Sequence, residues 1–150
     1  MTIDAEQIRA LTHEYTFRLD GGDFAGVAAL LAAGALRMSA KGMDEQEMRG
    51  AEEIERFYAN QVVTHDGDPR TRHVISNHVV DIDGEGAHGR CYFTVLMKPP
   101  RQPIQIVVCG RYFDTFERHE GAWRFLRKVI QVDYLTDISE HFLIDADHAA

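Results

Sequence analysis

From Asp4 to Leu19 the large apolar residues Ile8, Leu11, Tyr15 and Leu19 recur at three- and four-residue spacing, with Asp4 placed as an N-cap and Gly21-Gly22 as a stop. The spacing predicts a first helix. Asp23 then caps a second helix through Val27, Leu30 and Leu31 to about Ala33, closed by Gly34. A third opens at Gly50-Ala51-Glu52-Glu53 and gathers Ile54, Phe57, Tyr58 and Gln61 on one side. Between these two, Ala35 to Ala40 reads as a short strand and Lys41 to Glu47 as a polar loop. Beyond residue 70 the period falls to two, and turn signals at Asp83-Gly84-Glu85-Gly86, Pro99-Pro100 and His119-Glu120-Gly121 cut the chain into four strands. These are Thr71 to Ile82, Ala87 to Lys98, Ile104 to Arg118 and Trp123 to Tyr134. The tail from Thr136 to Ala150 is expected to hold a short helix around Ser139 to Phe142 and to be mobile elsewhere.

Helices followed by an antiparallel meander make an α+β plan, in which the helices cover one face of a curved sheet. Such a sheet leaves a conical cavity, a natural place for a small ligand. With 150 residues there is room for one domain, 1–150, and for burial of roughly 70% of the unfolded surface. Lys plus Arg number 16 against 24 Asp plus Glu, a formal charge of −8 that disfavours nucleic acid and anionic membrane as partners. Asp4, Glu6 and Arg9 stand where a signal peptide needs an apolar stretch, and no apolar run approaches the roughly 18 residues of a membrane span. Cys91 and Cys109 fit neither a disulfide framework nor a metal-ligand spacing, so a cytoplasmic location is expected.

Four pieces carry a family resemblance. They are Tyr15-Thr-Phe-Arg-Leu-Asp20-Gly-Gly-Asp23-Phe with Val27-Ala-Ala-Leu-Leu31; Gly50-Ala-Glu-Glu-Ile54; Thr71-Arg-His73-Val-Ile-Ser-Asn77; and Gly110-Arg-Tyr112-Phe-Asp114 with Gly121-Ala-Trp123-Arg-Phe125. In this order, over about residues 6 to 135, the chain resembles the SnoaL-like branch of the nuclear transport factor 2-like superfamily. The resemblance implies a cone-shaped, cystatin-like α+β barrel whose curved antiparallel sheet wraps around three N-terminal helices. It does not fix an activity, because the superfamily spans isomerases, dehydratases, dehydrohalogenases and plain binding domains.

In the scytalone dehydratase and dehydrochlorinase type, an aspartate ending the first helix pairs with a histidine on the strand after the third. The matching residues are Asp20 and His73. A carboxylate on one imidazole nitrogen fixes the tautomer and supports the cation formed when the other nitrogen takes a proton. The chain departs from that pattern at Cys91, where the dehydratase has a second histidine, at Ala40, where it has a helper tyrosine, and at Leu19, beside the aspartate. A neutral thiol is a poor acid catalyst, so dehydration loses support relative to halide loss or enolisation. Against the steroid isomerase branch, Tyr15 matches the oxyanion tyrosine, while the general-base position falls at Ser39. Tyr15 is thus either a hydrogen-bond donor to a bound carbonyl or one ring on the buried helix face.

Period two sorts the strand residues by face. If His73 faces inward, so do Ile75 and Asn77; Cys91 brings Phe93, Val95 and Met97, and Gly110 brings Val108 and Tyr112. Asn77 is either a polar anchor or a core amide, and Trp123 reads as packing at a hairpin end. His73 and His78, five apart, should face opposite ways; His65-Asp66-Gly67-Asp68 offers no ligand set, and His13, His88, His119, His141 and His148 have no motif around them, so no metal is expected. Arg70 and Arg72 are either pocket cations or charges at the barrel mouth. The outward residues Val74, Val80, Tyr92, Leu96, Val107, Phe113, Leu126 and Ile130 are too apolar for water, which predicts a homo-oligomer, dimer or trimer, packed sheet to sheet.

The expectation is a small enzyme, a lyase or isomerase without organic cofactor or metal. It would bind a compact, largely apolar molecule against Tyr15, Asn77, Cys91, Phe93, Val108 and Tyr112, and use the Asp20–His73 dyad for proton abstraction leading to elimination or isomerisation. The rival readings are a non-catalytic ligand-binding or accessory domain, and an oligomerisation partner like a ring-hydroxylating dioxygenase small subunit.

Overall fold

The computed structural model describes residues 2–143. Helix α1 (Ile3–Asp20) and helix α2 (Phe24–Leu31) lead into strands β1 (Ala35–Ala40) and β2 (Gln46–Arg49) and helix α3 (Gly50–Gln61). Four long strands follow: β3 (Thr71–Asp83), β4 (Gly86–Met97), β5 (Gln105–His119) and β6 (Ala122–Leu135). All six strands form one sheet in the order β2-β1-β6-β5-β4-β3. Its inner face packs on the helices around Ile8, Tyr15, Leu31, Ile54 and Tyr58 on one side and Val95, Tyr112 and Phe125 on the other, all 2% exposed or less.

Local chemistry explains the helix ends. Asp23 caps α2 by accepting from Gly26 N–H at 2.9 Å. The cap of α1 is Thr2 rather than Asp4: the Thr2 hydroxyl accepts from Ala5 N–H at 3.2 Å. Asp4 instead accepts from Trp123 Nε1 at 3.0 Å and pairs with Arg118 at 3.0 Å, while Arg118 also lies over the Trp123 ring. That clasp ties α1 to the β5–β6 hairpin and gives Trp123 the packing role expected of it.

Three features depart from the sequence reading. The expected loop Lys41 to Glu47 contains the start of β2, a four-residue edge strand of which only Met48 is buried, too short and polar to show an alternation. The sheet has one parallel pair, β1 beside β6, because the α3 excursion returns the chain to the far edge. Ser139 to His141 form a turn rather than a helix; Phe142 bridges to Val62, and Ile138, His141 and Phe142 pack inward. The part of the expected tail beyond Leu143 lies outside the described residues.

Bulges set which residues face the helices. Pairing of β3 with β4 shifts between Ser76 and Val79, where Asn77 takes a left-handed φ of 55°. Beyond this point the inward set becomes His78 and Val80, so Asn77 is exposed and His78 shares the inner face with His73. The pairing of β5 with β6 shifts between Thr115 and Phe116, leaving Leu126 as the extra residue; Trp123 and Phe125 face inward before it, Lys128 and Ile130 after it. A Cβ on Gly34 would run into the Leu126 carbonyl, so the glycine lets α2's end approach the bulge. A further shift at Val95/Leu96 accompanies consecutive buried residues, Val107 and Val108. Of the expected outer row, Val80, Val107 and Ile130 are therefore turned in, whereas Val74, Tyr92, Phe113 and Leu126 remain exposed and Leu96 half-buried.

Candidate active site

Asp20 is the last residue of α1, and the helix end delivers its carboxylate to the start of β3. One oxygen, Oδ1, lies 2.6 Å from His73 Nδ1 and accepts from the Thr71 hydroxyl at 2.8 Å; the other, Oδ2, accepts from the His73 backbone N–H at 2.8 Å. Burial alone would push the Asp20 pKa up, but the bonds and charge of His73 and the Thr71 hydroxyl hold it below the usual carboxylate value. An ionised carboxylate only accepts, so Nδ1 carries a proton, and in the neutral imidazole the lone pair is then on Nε2. The His73 side chain is 6% exposed and lines the cavity between sheet and helices.

That cavity opens at one mouth, and apolar side chains dominate its wall. Rings form a continuous band along it. His73 stacks on Phe93 at 6.4 Å between centroids, Phe93 on Tyr112 at 4.4 Å, and Tyr112 meets Tyr15 edge-on at 5.9 Å. Gly110, paired with Phe93, makes the close stacking possible, because a Cβ there would run into the Phe93 ring. The band ends in a hydroxyl pair: Tyr15 and Tyr58 oxygens lie 2.5 Å apart. Burial pushes both pKa values up, so both phenols stay protonated; one donates to the other, and the accepting hydroxyl keeps its own O–H for a ligand.

Beneath the band lies a sealed ion pair. Lys128, on β6, is fully buried, its Nζ 3.3 Å from Asp114 of β5 and 3.4 Å from the Tyr112 ring centroid. Burial pushes Lys128 down and Asp114 up to about 6. Neither residue lines the cavity, whose described wall includes no lysine or arginine.

The expected ligand contacts divide. Tyr15, Phe93, Val108 and Tyr112 line the cavity with His73, as do Leu19, Ser39 and Ala40, three of the four positions at which the chain departs from the dehydratase and isomerase patterns. Cys91 is buried behind the wall, its thiol pushed up to about 11 by burial, and does not line the cavity. Asn77 is exposed at its bulge, so neither residue contacts a ligand there. Arg70 and Arg72 also lie outside the lining, Arg70 donating to the Lys98 carbonyl at 2.6 Å. His65 and Asp68 bridge through their backbones, and the His65 ring meets the Glu140 carbonyl at 3.1 Å.

Tyr58 and His141 are among the lining residues that escaped the sequence reading as site candidates. Tyr58 sits on the apolar side of α3, where it was expected only to pack. His141 comes from the C-terminal segment and stands 6.4 Å from the His73 ring, with nothing in its neighbouring sequence to mark it.

Comparison with known proteins places this geometry in a family. A profile described as a SnoaL-like domain matches residues 2–129. Among solved structures, a protein of unknown function from Mycobacterium tuberculosis superposes with a TM-score of 0.73 at 24% identity, covering 98% of this chain and 83% of that one. An NTF2-like protein with a cystatin-like fold from Novosphingobium aromaticivorans has a TM-score of 0.68 at 21% identity, covering 91% and 84%. A provisionally named scytalone dehydratase from the same organism has a TM-score of 0.67 at 21% identity, covering 88% and 85%. At these identities the structural likeness establishes the fold alone. No functionally curated protein matches the chain. Among the described residues no helix is long and apolar enough to cross a membrane. With the profile spanning most of its length, the chain belongs to the SnoaL-like domain family of NTF2-like folds.

Proposed function

We propose that this protein is a lyase or isomerase that removes a C–H proton from a compact, largely apolar carbonyl compound, with His73 as general base. The observation that carries the reading is the 2.6 Å contact between His73 Nδ1 and Asp20, on a ring that lines an apolar cavity. Asp20 holds the proton on Nδ1 and stabilises the imidazolium formed when Nε2 accepts the substrate proton. As the C–H bond breaks, its electron pair moves toward the carbonyl oxygen, where the free O–H of the Tyr15–Tyr58 pair donates to the developing enolate. Reprotonation at another carbon gives isomerisation; expulsion of a β-substituent gives elimination. No step invokes a metal or cofactor.

Tyr15, Phe93, Val108 and Tyr112 supply the apolar wall in this reading. Its test is a panel of neutral cyclic ketones and β-substituted ketones assayed with wild type and His73→Ala. Turnover confined to wild type supports the reading.

A second reading, binding without chemistry, draws on Cys91: where dehydration would use a second acid, the chain has a buried thiol that does not reach the cavity. Tight binding of panel members, with neither turnover nor proton exchange over hours, favours it.

A further inference from the structure

His141 shares the cavity wall with His73, and the proposed proton abstraction leaves it without a task. The residue is 7% exposed, and its Nδ1 is buried with no hydrogen-bond partner. It is no accident of a loose end. Val63 N–H donates to the His141 carbonyl at 2.8 Å and Leu143 N–H to the Gln61 carbonyl at 2.7 Å, strapping the segment to the end of α3. Burial, with the neighbouring His73, lowers the His141 pKa to about 4, so near neutral pH this ring is an uncharged imidazole with one donor and one acceptor. The ring stands on the cavity wall beside His73, where a bound ligand can meet its hydrogen-bonding edge.

We propose that His141 is a substrate-contacting residue, its neutral imidazole hydrogen-bonding a polar oxygen of an uncharged ketone held beside His73. The inference rests on the reading of His73 as the base, and adds to it a ligand contact and a charge class. With no lysine or arginine in the described wall, a carboxylate or phosphate would enter without a counter-charge, whereas a neutral oxygen finds donors at His141 and at the tyrosine pair.

The test uses the full chain with 2-tetralone, a compact neutral ketone with an acidic C–H, measuring its Kd and the rate of its deuterium uptake from D2O. His141→Phe keeps a ring of similar size without hydrogen bonding, and His141→Gln keeps hydrogen bonding without the ring. A hydrogen-bonding role predicts that His141→Phe weakens binding roughly 5- to 30-fold while His141→Gln stays within about threefold of wild type. A packing role predicts the reverse order. That reverse order, a His141→Phe protein within twofold of wild type, or no binding of millimolar 2-tetralone by wild type would each overturn the proposal. His73→Ala separates the two ideas: exchange that survives its removal sinks the general-base reading, whereas a silent His141→Phe beside a dead His73→Ala sinks this one alone.

Discussion

Asp20 and His73 are joined twice, through the ring Nδ1 at 2.6 Å and through the backbone N–H at 2.8 Å, so one carboxylate orients both the imidazole and the strand that carries it. Asp20→Asn keeps the shape but can present its amide to Nδ1 and favour the wrong tautomer. Proton abstraction is expected to fall on the order of 100- to 10,000-fold, with nitrogen-15 NMR showing the His73 proton moved from Nδ1. Unchanged activity with the proton still on Nδ1 would show that the carboxylate is dispensable.

The Lys128–Asp114 pair carries a stability asymmetry. Lys128→Met leaves Asp114 buried without its counter-charge and should cost about 3 to 5 kcal/mol at neutral pH. Adding Asp114→Leu removes the orphaned charge and should restore most of that loss, which chemical denaturation of both variants measures. A double variant no more stable than the single one would contradict the account.

The buried His141 ring should make the protein acid-sensitive. Its folded pKa, about 4, lies below the unfolded 6.5, so between these values the unfolded chain binds more protons and stability falls as pH falls. The His141 contribution is complete above pH 6.5, is lost as the pH drops toward 4, and amounts to at most about 3 kcal/mol. His141→Gln, which does not titrate, should flatten the decline of unfolding free energy from pH 6.5 to 4 by a measurable part of this. Parallel curves for the two proteins would refute the assignment.

The outer sheet face bears Val74, Tyr92 and Phe113, which are 46%, 54% and 40% exposed on adjacent strands. Burying them against a second copy accounts for such a face on a sheet that the helices cover from one side only. Light scattering at low micromolar concentration is expected to give a dimer or trimer, and Tyr92→Glu with Phe113→Glu to give a folded monomer. A wild-type monomer would remove this expectation.

Strand periodicity exposed the inner row Cys91, Phe93, Val95 and Met97 because β4 keeps a regular register with β3 and β5 across most of that stretch. It failed after Ser76, where one added residue exchanges faces and brings His78 and Val80 inward. An asparagine inside a strand was the available signal, since its side chain tolerates the left-handed conformation found at Asn77. Leu126 offered no such mark: its bulge lies against the distant Gly34, and only the fold brings them together. Asp20 and His73 were legible through a family motif, whereas His141 was not, because its place depends on a backbone bond from the distant Val63 rather than on its neighbours.

Deuterium uptake into a neutral ketone by wild type and His73→Ala, compared above the buffer rate at neutral pH, tests the central claim most directly. The account predicts enzyme-dependent uptake that falls by on the order of 100-fold or more without the imidazole. Equal uptake by both proteins, or none above buffer across the ketone panel, would contradict it.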